Sequence, residues 1–66
     1  MNNRETAQRL RQMKEIMINL KKLTDSFYEL CEGLDSCYDY RTEIHTFEWI
    51  VEHIGASIES DLNYLE

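Results

Sequence analysis

Hydrophobic residues recur through the first half of the chain at alternating spacings of three and four. Counting heptads from Met13 places an apolar residue at every a and d position as far as Leu34. The e positions widen this stripe beyond a two-stranded seam, as in a helix that faces a bundle core. The pattern predicts a helix over about residues 3–32, and its core-facing residues are Leu10, Met13, Ile16, Met17, Leu20, Leu23, Thr24, Phe27, Leu30, Cys31 and Leu34.

A second stripe follows and predicts a helix over about residues 39–64. A turn over about residues 33–38 separates the two helices, and Gly33 is placed to end the first one in a left-handed conformation. Asn2 or Asn3 can cap the first helix, and Ser36 or Asp39 the second. The core-facing residues of the second stripe are Cys37, Tyr40, Ile44, Phe47, Ile50, Val51, Ile54, Ile58, Leu62 and Leu65.

The fold class predicted from these stripes is an all-α, antiparallel two-helix hairpin forming one domain over 1–66. Because one hairpin leaves much of a wide stripe uncovered, we expect it to dimerise into a four-helix bundle or to dock on another helical protein. One alternative breaks the first helix near Thr24, since Ser26 and Glu29 have the spacing of a capping box. That break would give three helices.

The composition limits the class of protein. With 66 residues and 7.9 kDa, the chain is near the lower size limit for independent folding. Leu, Ile, Val and Phe together exceed the roughly 20% below which a charged chain is expected to be disordered. No apolar run resembles a signal peptide or a membrane span, and two cysteines are too few for a disulfide framework. We therefore expect a cytoplasmic protein with reduced thiols and no membrane contact.

Charge is distributed unevenly along the chain, whose net charge is −6. Residues 1–22 hold six of the seven bases and two acids, whereas residues 23–66 hold one base and eleven acids. The acidic surface disfavours direct binding of nucleic acid. In an antiparallel hairpin the basic start lies beside the acidic end, where ion pairs would specify orientation. The bases expected to face acids are Arg4, Arg9 and Arg11, and the acids are Glu59, Asp61 and Glu66.

No motif indicates catalysis, a cofactor or a metal. Phosphate loops, nucleophile elbows and metalloprotease motifs are missing from the sequence. Cys31 and Cys37 are spaced too widely for a zinc knuckle, and His45 and His53 point away from the predicted seam. We expect a protein that is not an enzyme, with both cysteines reduced in the core. A disulfide that closes the turn is the alternative in an oxidising compartment.

Several apolar residues lie off the main stripes and point to a second buried surface. Trp is favoured at interface hot spots, and a lone exposed one is unusual. Gly55 and its small neighbours would let another helix come close. These features predict a protein–protein interaction module: a small regulatory adaptor, co-chaperone or inhibitor with a helical partner. The contact residues predicted are Ile18, Tyr28, Tyr38, Glu48, Trp49 and Glu52.

A different class of function is also compatible with the composition. A very acidic small protein can mimic the phosphate array of DNA and occupy the basic groove of a nucleic-acid-binding protein, as phage-type inhibitors do. Salt distinguishes the two, because a phosphate mimic loses affinity steeply with ionic strength. The acids of such an array are Asp35, Asp39, Glu43, Glu48, Glu52, Glu59 and Asp61.

In length, midpoint turn and amphipathic helices, the chain resembles two kinds of small helical hairpin. One is the plasmid copy-number protein that dimerises and binds RNA, and the other is the co-chaperone that escorts needle subunits in type III secretion. The resemblance implies a hairpin that works by association. RNA binding would require a basic face, for which only residues 1–22 carry the charge.

Overall fold

The computed structural model describes residues 2–65 and is helical over nearly all of them. Helix α1 spans Asn3–Cys31, a 3-10 helix spans Asp35–Tyr40, and helix α2 spans Arg41–Leu65. The helices pack side by side in opposite directions, forming a rod of 50 × 15 × 15 Å. The predicted all-α hairpin is confirmed. The start of the predicted second helix is 3-10 rather than α. No helix in the described part of the chain is long and apolar enough to cross a membrane.

The ends of α1 follow the predicted capping residues. The side chain of Asn2 accepts a hydrogen bond of 2.8 Å from the backbone N–H of Glu5. After α1, Gly33 has a φ of 83°, the left-handed conformation that glycine adopts without strain.

Helix α1 continues without a break through the proposed capping box. The Thr24 hydroxyl donates to the carbonyl of Lys21 at 2.7 Å, so it is satisfied inside the helix. Thr24 is also the most buried polar residue in the hairpin. The three-helix alternative is therefore wrong.

The contact between the helices, here called the seam, has a heptad spacing in both helices. Its least exposed residues are Val51, Ile58, Leu62, Ala7 and Thr24. No apolar side chain among residues 2–65 is completely enclosed, so the core is thin. The seam consists of Ala7, Leu10, Lys14, Met17, Lys21, Thr24, Tyr28 and Cys31 of α1, with Ile44, Glu48, Val51, Gly55, Ile58, Leu62 and Leu65 of α2.

The predicted core of α1 is largely wrong, because its a and d positions lie outside the seam. Leu23 is 65% exposed and Leu30 78% exposed. The seam uses the e positions instead, together with the b positions Lys14 and Lys21, which form ion pairs with glutamates of α2. One neighbouring helix cannot cover an apolar stripe this wide, so part of it stays in solvent. In α2 the predicted a positions do lie in the seam, whereas most d positions are exposed.

The two glycines give opposite stability predictions. A methyl group on Gly55 would lie 4.0 Å from Cβ of Met17, an ordinary contact, so Gly55→Ala should raise the free energy of unfolding by about 0.5–1 kcal/mol. Gly33→Ala places a side chain at positive φ and should lower the free energy of unfolding by about 1 kcal/mol. Urea denaturation of both variants measures these changes, and a stabilising Gly33→Ala would contradict the left-handed turn.

Candidate interaction surface

Most of the exposed apolar residues of both helices lie on the same side of the hairpin. Met13, Ile16 and Leu23 each directly precede a seam residue of α1, and Phe47 and Ile54 each directly precede one of α2. One residue corresponds to 100° of rotation around a helix. Because the helices are antiparallel, the same rotation turns the side chains of both helices towards the same side. The uncovered positions thus form one continuous surface rather than two opposite ones.

We call this surface the apolar face. Leu23 and Leu30 are its most exposed members, and the α2 residues are about two-fifths exposed. Single exposed apolar residues are normal in proteins, whereas a contiguous set of this length marks an interaction site. The face comprises Met13, Ile16, Leu20, Leu23, Phe27 and Leu30 of α1 with Phe47, Ile50 and Ile54 of α2.

The hairpin exposes more surface than a compact protein of its mass. Its accessible area is 5419 Å², whereas about 4,400 Å² is typical of a monomer of this mass. The excess of about 1,000 Å² is similar to the roughly 800 Å² that each partner contributes to a standard interface. The area left uncovered is therefore large enough for a stable association.

The opposite side of the hairpin is polar, and three of the predicted contact residues lie there: Ile18, Trp49 and Glu52. Ile18 is 40% exposed and lines a shallow groove with Lys22 and Glu52. Trp49 is 63% exposed and its ring stacks on His53 with 5.1 Å between ring centroids. Ile18, Trp49 and Glu52 each directly follow a seam residue, so their side chains point away from the apolar face.

The other two predicted aromatic residues lie near the turn. The hydroxyl of Tyr28 is 3.1 Å from Nδ1 of His45. The two ring centroids are 5.5 Å apart with the ring planes tilted, so the pair covers the edge of the seam near the turn. Burial raises the pKa of the Tyr28 phenol, and the charge of Glu48 adds to this. Tyr38 is exposed, with the Arg41 guanidinium 5.2 Å from its ring centroid.

The predicted acids Glu48 and Glu52 converge on one lysine. Nζ of Lys21 lies 3.2 Å from Glu48, 3.3 Å from Glu52 and 3.6 Å from Asp25. The hydrogen bond to Glu48 raises the pKa of Lys21 above its ordinary value of 10.5, with a further contribution from Glu52. This network joins the middle of the two helices and fixes their register.

The raised pKa of Lys21 gives a prediction for alkaline pH. Since the folded pKa lies above the unfolded one, the network stabilises the hairpin at neutral pH and is lost as pH rises through the raised value. Glu48→Gln should move the pKa of Lys21 back towards 10.5. An NMR titration of the lysine Cε–H signals measures the shift, with Glu29→Gln as the control. An unchanged pKa in Glu48→Gln would contradict the network.

The acids of the DNA-mimic hypothesis are partly engaged inside the hairpin. Glu48 and Glu52 bind Lys21, and Glu59 binds Lys14. A carboxylate that already contacts an ammonium group presents less negative potential to a basic partner. Of the residues predicted to pair at the open end, Arg9 binds Glu5 of its own helix and Glu59 binds Lys14. Glu66 lies outside the described residues.

The turn holds a disulfide between Cys31 and Cys37, so the prediction of two reduced core cysteines is wrong. The chain reversal after Gly33 and the 3-10 helix bring their Cα atoms to 5.5 Å, within the usual range for a disulfide. Within residues 2–65 no group of three or more His, Cys, Asp or Glu side chains is placed to hold a metal ion.

The apolar face has a recognisable pattern in the sequence, but the pattern alone does not show on which side of α1 the second helix packs. The strict a and d series of α1 is the narrow stripe typical of helix–helix association. The predicted core of α1 contains this series, and the predicted contact residues lie at other positions.

A comparison with protein-family models, with curated proteins and with solved structures found no match for this chain.

Proposed function

We propose that this chain is a non-enzymatic protein–protein interaction module that works by burying its apolar face against another helical surface. The observation that carries this proposal is the exposure of the a and d series of α1 from Met13 to Leu30, all but the half-buried Leu20, in a hairpin whose seam is already occupied. Burial of apolar area is the main favourable term in association. An adaptor, a co-chaperone and an inhibitor all use a surface of this kind.

The apolar face supports this proposal better than the polar side does. Leucine, isoleucine, phenylalanine and methionine side chains make up the face, whereas Ile18 and Trp49 on the other side have charged residues and His53 as neighbours. An apolar helix face is read by a partner through anchors at i, i+3, i+4 and i+7, the spacing found here. The polar side then keeps the assembled complex in solution.

Dimerisation into a four-helix bundle is one form of this function. Two hairpins placed face to face would enclose both apolar faces in a single core, with each seam unchanged. Such an assembly would also make up for the thin core of one hairpin, since small domains often depend on association for stability.

Site-specific photocrosslinking in the cells that make the chain tests the proposal. A benzophenone amino acid replaces Leu23 on the apolar face, or Glu15, which is exposed on α1 but points away from that face. We expect a discrete protein adduct from position 23 and none from position 15. Adducts of equal yield from both positions, or none from either, would overturn the proposed function. The mass of the adduct also reports what covers the face.

A further inference from the structure

We infer that the apolar face is covered by a second copy of this chain, with the two α1 helices antiparallel and the two-fold axis midway between Leu20 and Leu23. This inference rests on the proposed function and names its partner. In this arrangement the turn of each hairpin lies beside the open end of the other, and each α1 packs on the α1 of its partner. Three observations carry it: the symmetry of the stripe, the charge of α1 and the uncovered area.

The apolar stripe of α1 matches itself when its direction is reversed. The centre of the stripe lies midway between Leu20 and Leu23. A two-fold axis at this centre sets apolar residues opposite apolar residues along the whole contact, with Leu20 opposite Leu23, Ile16 opposite Phe27 and Met13 opposite Leu30 of the other copy. Two-fold interfaces require this self-complementarity, since each partner presents the same patch.

The charge of α1 is also self-complementary under the same reversal. Residues 3–14 carry four bases and one acid, a charge of +3, whereas residues 23–32 carry three acids and no base, a charge of −3. An antiparallel pair of α1 helices places the basic half of each copy along the acidic half of the other. Complementary charge of this kind fixes register and orientation more than it adds affinity.

The opposite orientation brings like charges together. With both turns at one end, the two segments 29–45 would meet, and each contains five acids with Arg41 as its single base. Repulsion between them is screened beyond about 8 Å at physiological salt, but it acts across a contact of neighbouring helices. The antiparallel arrangement avoids it.

The uncovered area is consistent with a second copy as the occupant. The excess of about 1,000 Å² over a compact monomer is present on each hairpin, so a symmetric pair would bury an interface of standard size. An exposed surface of this size on a chain of 7.9 kDa is a large share of its total. Self-association covers it without a larger partner.

Two measurements on the purified chain, with its native cysteines, test this inference. Sedimentation equilibrium gives the mass, and we expect twice that of one chain. Double electron–electron resonance then gives the orientation from the distance between two nitroxide labels. Each copy carries one label, attached to a ketone-bearing amino acid at the exposed position of Gln8. In the antiparallel pair these labels lie about 40 Å apart, twice the length of α1 from residue 8 to the midpoint between Leu20 and Leu23. With both turns at one end, they lie within about 25 Å.

Each outcome decides the inference. A dimer with the long distance supports it, and a dimer with the short distance overturns the orientation. A monomer at all concentrations overturns the second copy as partner. In that case a cellular adduct at position 23 with a mass other than two chains would show that the proposed function holds with a different protein. A monomer without any adduct would overturn both.

Discussion

Replacing Leu23 and Leu30 together by aspartate is expected to weaken association through the apolar face at least 100-fold. Each leucine contributes about 1.5–3 kcal/mol when it is buried in an interface, and a tenfold change in Kd corresponds to about 1.4 kcal/mol. The two carboxylates would in addition have to leave water. Because both side chains lie outside the seam, the helix content of the hairpin should change far less than its association does. Sedimentation equilibrium and circular dichroism of the same samples measure the two quantities.

The matched control adds the same two charges to the polar side. Ile18→Asp with Ala56→Asp changes two exposed residues that each follow a seam residue, and association should stay within about twofold of the native chain. Trp49→Ala, on the same side, should likewise leave association within about twofold of the native chain. If the polar-side variants weakened association and the variant at Leu23 and Leu30 did not, the contact residues predicted from the sequence would be the right ones.

Ile58→Ala is expected to lower the free energy of unfolding by about 2–4 kcal/mol. Ile58 is only 4% exposed and packs with Ala7 and Leu62 in the best-buried part of the seam. Truncating it removes the transfer free energy of the side chain and leaves a cavity that the two helices cannot fully close. Small domains have total stabilities of about 3–10 kcal/mol, so this loss is a large part of the whole. Urea denaturation at one fixed protein concentration measures it.

Ile18→Ala is the control for this prediction, because it deletes the same atoms from an exposed isoleucine. Its effect should stay within about 0.5 kcal/mol. Equal losses from both substitutions would show that the seam is not where the structure places it.

The secondary structure of this protein could be read from its sequence, because its signals are local. Asn2 can cap a helix only at its start, and Gly33 favours the positive φ that ends one. The apolar period of 3.6 residues excludes strands throughout. The capping-box spacing of Ser26 and Glu29 does not end the helix, because α1 runs through both residues without a break.

The disulfide and the interaction surface were harder to predict from the sequence. Two cysteines six positions apart meet only if the turn reverses the chain tightly, and the 3-10 helix that does so has no clear sequence signal. The predicted contact residues lie off the main stripe of each helix. They would be the contact surface only if the main stripe were the hairpin's own core, and in α1 it is not.

The amino-acid pattern is enough to predict two amphipathic helices, the turn between them and more apolar surface than one hairpin can bury. The part of that surface that is buried within the chain depends on how the two helices pack. Every apolar position of α1 fits a helical period, and the period cannot say which of two adjacent stripes faces α2. The choice depends on contacts between residues far apart in sequence, such as Lys21 with Glu48 and Met17 with Gly55. Those contacts rotate α1 so that Leu23 and Leu30 face outward, where another helix can cover them.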